Sequence, residues 1–167
     1  MSQHAVRQET QVDDFQVRRC VANAEAFGAI IDFLTRVKPF SQVAAGQLAS
    51  IVRDQLKHQH HVCAMRGNTI IGYCGWVLVT PESGEQWLRD QGPLRPVPEA
   101  GATAGALTLV RADDPKVLRR LIRVTRDLNP GRRVFLRRDY SDGSKTSRLT
   151  SVLNVPHARK GRESVAE

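Results

Sequence analysis

Apolar residues at helical spacing open the patterned part of the chain: Phe27, Ile30, Ile31 and Leu34 recur every three or four positions. Asn23 precedes them where an N-cap belongs, so the pattern predicts a helix with these four side chains buried. Lys38-Pro39-Phe40 ends it, because Pro39 biases Lys38 away from helical geometry. Ser41 then stands at an N-cap position, and Leu48, Ile51, Val52 and Leu56 make the apolar stripe of a second helix.

The period changes at His61. Residues 61–65 are short and apolar and read as a strand. Gly67-Asn68 is a two-residue hairpin signal. Residues 69–80 are rich in Ile, Tyr, Trp and Val, as expected of a central strand buried on both faces. Pro81 ends that strand and 82–90 reads as a short helix. Residues 91–103 hold three prolines and two glycines and read as a loop. A strand at 104–110 leads to Asp114 and Pro115, the cap and first position of a third long helix. Val117, Leu118, Leu121, Ile122 and Leu128 form its apolar face. Asn129-Pro130-Gly131 stops it. Strands at 133–138 and 147–153 flank a turn at 141–143. Residues 1–22 alternate charges and read as a loose arm; 156–167 read as a disordered polar tail. The order predicts one α/β (α+β) domain over 23–155, with a mixed, mostly antiparallel sheet flanked by helices.

Composition narrows the classes. The chain has 167 residues, 41% hydrophobic and 25% charged, which suits one globular domain. No apolar run reaches the ~18 residues of a membrane span, and 1–17 lacks the apolar core of a secretory signal. Cys20, Cys63 and Cys74 are odd in number and lack metal-ligand spacing, so reduced thiols in the cytoplasm are expected. Neither a metal nor a cofactor is expected.

Net charge is +8, and it is localised: residues 111–148 hold twelve Lys/Arg against five Asp. Lys116, Arg119, Arg120, Arg123 and Arg126 fall opposite the apolar face of the third long helix and form the candidate partner-binding surface. Nucleic acid is the weaker reading of that surface, because no helix-turn-helix, zinc or RNP-type motif accompanies it. His58, His60 and His61 cluster near a helix end, and His58 with His61 across one turn is a candidate metal-binding or base pair. A helix C-terminus favours histidine for its dipole alone. Cys74 is a candidate nucleophile with His61 across the hairpin, although a cysteine in a core strand is ordinarily inert.

Arg66-Gly67-Asn68, followed by Gly72-Tyr73-Cys74-Gly75-Trp76, resembles the hairpin and Tyr-Cys-Ser-Trp strand of the toxin-activating lysine acyltransferases. The resemblance runs from Phe27-Gly28 to about Gly143. It includes the helix break at Lys38-Pro39-Phe40 and the Asn-Pro-Gly stop before Val-Phe-Leu-Arg-Arg. It implies a fold like that of the GNAT acetyltransferases. It also implies a protein-lysine fatty acyltransferase fed by acyl carrier protein, with a lysine-bearing protein as substrate and a homodimer as the assembly. The family's catalytic His falls at Ser41 here, and its catalytic Asp falls at Leu109 or Val110. No family catalytic residue therefore carries over by position, though Asp113 or Asp114 lies a few residues on. A lysine ammonium must lose a proton before it attacks a thioester, and a hydroxyl without a base is a poor means of removing it. An acyltransferase-like regulatory protein without catalysis is thus the alternative. The Arg-x-x-Gly-x-Gly/Ala loop that cradles coenzyme A pyrophosphate in typical GNAT enzymes is also missing, which favours acyl carrier protein as donor.

Overall fold

Gly67, with a φ of 58°, makes the tight turn that joins β2 (His61–Arg66) to β3 (Thr69–Val79). The computed structural model describes residues 14–138 and 148–155. Its six-stranded sheet has the order β1-β2-β3-β4-β5-β6, with β1 Gln16–Arg18, β4 Ala104–Ala112, β5 Arg133–Arg138 and β6 Arg148–Leu153. Every neighbouring pair is antiparallel except β4 and β5, which run parallel. The helix α4 (Pro115–Asp127) makes the crossover between them, as a parallel pair requires. The expected mixed, mostly antiparallel sheet is what forms.

The helices α1 (Ala24–Thr35) and α2 (Ala45–Lys57) cover one face. Ile30, Phe33, Leu34, Leu48, Val52 and Leu56 pack there on Cys63, Tyr73 and Leu109. On the other face Val117 and Leu121 of α4 pack on Val62, Ala64, Cys74 and Trp76. The period-two alternation of β2 and β3 divides these residues between the faces. Short α3 (Pro81–Leu88) is capped by the Thr80 side chain, and its Gly84 lies against the Phe135 ring of β5. Asn23 and Asp114 cap α1 and α4 through their side chains, as their positions predict.

Four expectations are corrected. The arm expected over 1–22 supplies β1, paired along β2, and buries Phe15, because the open edge of β2 offers unpaired backbone groups. Ser41 caps nothing. It lies exposed in a 3-10 turn, Phe40–Gln42, and α2 starts later, after Ala44, which makes no side-chain cap. Phe33 is buried in α1 while Phe27 and Ile31 are only half-buried, so the buried stripe is rotated towards Phe33. In α4 Leu118 and Ile122 are half-buried at the edge of the buried stripe, and Leu128 is exposed at the C-cap, Thr125 taking the place beneath the last turn. The turn at 141–143 and the tail at 156–167 lie outside the described residues.

Candidate functional site

β4 and β5 pair only from Ala104–Leu107 to Arg133–Leu136, and then part. β4 continues to Ala112 and β5 to Arg138 without further pairing to each other. The fork begins at a β-bulge. Gly75 pairs with Leu109 and Trp76 with Leu107, so Thr108 between them has no partner on β3. A bulge of this kind bends a strand and re-aims its side chains. Beyond the fork no described strand pairs with the β5-facing edge of β4, and such an edge suits an extended ligand bearing amides.

A hydrogen-bonded relay leads to the bulge from the α1–α2 face. The Tyr73 hydroxyl donates to Gln55 Oε1 at 2.8 Å, and Gln55 Nε2 donates to Thr108 Oγ1 at 2.8 Å. Gln55 is buried on α2 and fits only because residue 75 is glycine. A Cβ there would come within 2.1 Å of Gln55 Oε1. Burial pushes the Tyr73 phenol well above its usual range, so it acts as a donor and not as a base. Thr108, half-buried at the bulge, accepts from Gln55 and keeps its own proton to donate.

Arg111 lies further along β4, where that strand still pairs with Tyr73 of β3 but no longer with β5. Its guanidinium sits 3.9 Å from the centre of the Phe33 ring and 3.5 Å from Asp113. Its Nη1 is buried without an acceptor. An orphaned guanidinium donor is suited to a carbonyl or anionic oxygen. Burial lowers the pKa of Arg111, and Asp113 works against that shift.

The histidines separate. His58 is exposed, with Nδ1 2.9 Å from the Asp54 carbonyl oxygen. His60 stacks between His58 and Trp76, with ring centres 5.8 and 5.9 Å away. Burial, then the charge of His58, lowers the His60 pKa, favouring a neutral ring. His61 is buried on the α1–α2 side, with Nδ1 3.2 Å from the Gln55 carbonyl oxygen. The candidate pair of His58 with His61 therefore does not form, and the structural reading of these histidines holds. Nor does His61 reach Cys74, which belongs to the opposite face, is fully buried and has its thiol pushed up to about 12 by burial. The partners of His61 are instead Cys20 and Cys63. Sequence spacing hid that trio because Cys20 lies forty-one positions away, on an arm read as loose.

The five basic residues of α4 (Lys116, Arg119, Arg120, Arg123 and Arg126) are all exposed, as their spacing predicts. Arg126 also donates from Nε to Asn154 Oδ1 at 3.2 Å. At the head of α4 a single Asp114 oxygen takes the backbone N–H groups of Lys116 and Val117, at 2.8 and 2.9 Å. Asp113 pairs with Arg111 and is exposed. Leu109, at the position implied for a catalytic acid, is buried core, and Val110 packs against the opposite face. A cavity at the far edge of the sheet, lined by Asp14, Gln16, Arg18 and Met65 from the β1–β2 side, is separated from the β4–β5 fork by β3.

No family model and no curated sequence matches the chain. Solved structures do. The loading GNATL domain of CurA from Lyngbya majuscula is similar with a TM-score of 0.55 at 15% identity, over 79% of this chain and 70% of that one. The fold is that of the GNAT acetyltransferases. More distant likenesses include an aminoglycoside acetyltransferase from an uncultured soil metagenomic sample, with a TM-score of 0.46 at 17% identity over 77% and 80% of the two chains. Another is the PaiA N-acetyltransferase of Thermoplasma acidophilum in complex with coenzyme A, at 0.41 and 11% over 77% and 83%. In this GNAT fold the parallel pair with its fork is β4–β5, and the relay from Tyr73 through Gln55 ends at that fork. The likeness reaches the fold and stops there. Among the described residues no helix is long and apolar enough to cross a membrane.

Proposed function

We propose that this GNAT-fold chain takes a fatty acyl group from acyl carrier protein and passes it to a lysine of a protein substrate. The resemblance to the toxin-activating acyltransferases implies that reaction, with a homodimer as its assembly. One observation carries the choice of donor: Asp114 occupies the head of α4. Helix N-termini bind phosphates through free N–H groups and a favourable dipole. Here a carboxylate already holds the N–H groups of Lys116 and Val117 and adds negative charge, so a nucleotide pyrophosphate is poorly served. The same helix carries five exposed basic side chains, which suit an acidic carrier protein. In this reading the acyl-bearing arm enters the β4–β5 fork, and Thr108 and Arg111 offer donors to its carbonyl oxygens.

Ser41 and the apolar pair Leu109 and Val110 favour a second reading, a GNAT-fold binding protein without catalysis. Neither position supplies a base for the lysine ammonium or an acid to orient one.

The test separates the two. The full chain is titrated with acyl carrier protein loaded with chains of several lengths, and with duplex DNA, at low and moderate salt. Loss of the thioester is then followed in the presence of lysine peptides. Binding with acyl transfer supports the first reading, and binding without transfer supports the second. In both, reversing Arg119 and Arg123 to Glu slows association, and salt weakens it, because exposed charges are screened beyond about 8–10 Å. Binding to DNA alone, or to neither ligand, refutes both.

A further inference from the structure

Cys20, His61 and Cys63 meet under the α1–α2 face, away from the β4–β5 fork, with their sulfur and ring-nitrogen atoms within 4.8 Å of one another. The register of β1 on β2 brings this about. Arg18 pairs with Cys63, and the chain turns just beyond it, so that Cys20 Sγ lies 3.1 Å from Cys63 Sγ. Both cysteines are free. Closing that gap by about 1 Å would give the ~2.05 Å of a disulfide bond.

The two thiols are not equivalent. Cys63 is buried completely, while Cys20 is partly open to solvent. The hydrogen bond from the Cys63 thiol outweighs the cost of burial. With a smaller contribution from the charge of Arg18, it holds the Cys20 thiol well below its usual range. The same contact, added to burial, raises the Cys63 thiol. Cys20 is thus the accessible thiolate, and Cys63 the protonated partner beside it. The His61 ring is pinned at both nitrogens. Nδ1 faces the Gln55 carbonyl oxygen, and Nε2 accepts the Cys20 backbone N–H at 3.0 Å. A metal ion would need that Nε2 lone pair and would have to displace the backbone donor, so the geometry favours thiol chemistry over metal binding.

We propose that Cys20 and Cys63 form a redox pair, in which a hydroperoxide oxidises Cys20 and Cys63 then closes a disulfide that staples the β1–α1 junction to β2. With hydrogen peroxide, the Cys20 thiolate attacks one oxygen, the O–O bond breaks, and the departing hydroxide takes a proton to become water. This leaves a sulfenic acid on Cys20. The Cys63 sulfur attacks the Cys20 sulfur and the S–O bond breaks. The hydroxide leaves with the Cys63 proton as a second water. Two thiols and one peroxide give one disulfide and two waters, and a dithiol reductant reverses the change. A reversible, sensing disulfide is compatible with a reducing compartment. The inference does not depend on the acyl-transfer reading.

The full chain, reduced and then freed of reductant, is treated with hydrogen peroxide and read by intact mass, thiol titration and peptide mapping. The expected result is a mass lower by two hydrogens and a Cys20–Cys63 linked peptide, with Cys74 still reduced. In Cys63→Ser, Cys20 sulfenic acid should accumulate and be trapped by a cyclic diketone. In Cys20→Ser, oxidation should slow roughly tenfold or more, since the exposed thiolate is gone. The wild-type mass and map stand even if a variant fails to fold. Absence of the Cys20–Cys63 link overturns the proposal. So does a purified chain that holds stoichiometric zinc and resists peroxide until a chelator is added, which would assign the three residues to a metal.

Discussion

Replacing Gln55 by leucine keeps its bulk over Gly75 but removes both ends of its amide. The Tyr73 hydroxyl, on a fully buried side chain, then loses its acceptor, and Thr108 loses a donor. An unsatisfied buried hydroxyl costs about 1–3 kcal/mol and the lost second bond about 0.5–1.5 kcal/mol, so Gln55→Leu should destabilise by about 2–4 kcal/mol. For a chain of this size each kcal/mol lowers Tm by about 2–4 °C, so the variant should melt roughly 5–15 °C lower. Tyr73→Phe leaves Gln55 Oε1 unpaired instead and should cost about 1–3 kcal/mol. The double variant removes donor and acceptor together. It should therefore be less destabilised than the sum of the singles by about 1 kcal/mol or more, the signature of a direct contact. Urea unfolding of the four proteins closes the cycle. Additivity to within about 0.5 kcal/mol would refute the relay, because independent sites add to that tolerance.

Leu121 is completely buried beneath α4, so Leu121→Ala should cost about 2–5 kcal/mol; a loss under about 0.5 kcal/mol in urea unfolding would place that side chain at the surface. A Cβ on Gly84 would meet the Phe135 ring at 2.3 Å, so Gly84→Ala should destabilise by roughly 1–3 kcal/mol even though alanine is the better helix former, as thermal melts would show. Burial lowers the His60 pKa in the folded chain, so below about 6.5 the unfolded chain binds more protons and stability falls with pH. Urea midpoints should drop on acidification through that window in the wild type and drop less in His60→Gln; equal drops would sink the argument.

Much of the fold was legible because its signals are local. Asn23 and Asp114 cap helices through bonds to backbone only two or three residues away. Gly67-Asn68 turns β2 into β3, and the β-formers of 69–80 make the central strand. The basic face of α4 follows from its 3.6-residue period alone. Other local signals misled. Ser41 is a good capping residue, yet tertiary packing begins α2 after Ala44. The polar arm holds a three-residue strand whose own pattern is too short to announce it.

The candidate sites followed a different rule. Gln55 reads in sequence as an ordinary polar residue near a helix end, and Thr108 as one position in an apolar strand. Only the packing of α2 over Gly75, and a bulge that leaves Thr108 unpaired with β3, turn them into a relay that ends at the fork. Cys20 and Cys63 are likewise separated by two helices in sequence and joined by the register of a three-residue strand. The sequence by itself therefore determined the helices, the central hairpin and the placement of charge, because caps, turns and periodicity act over a few residues. The fork, the relay and the thiol pair were decided by tertiary structure, because strand order, register and helix packing depend on contacts between residues distant along the chain.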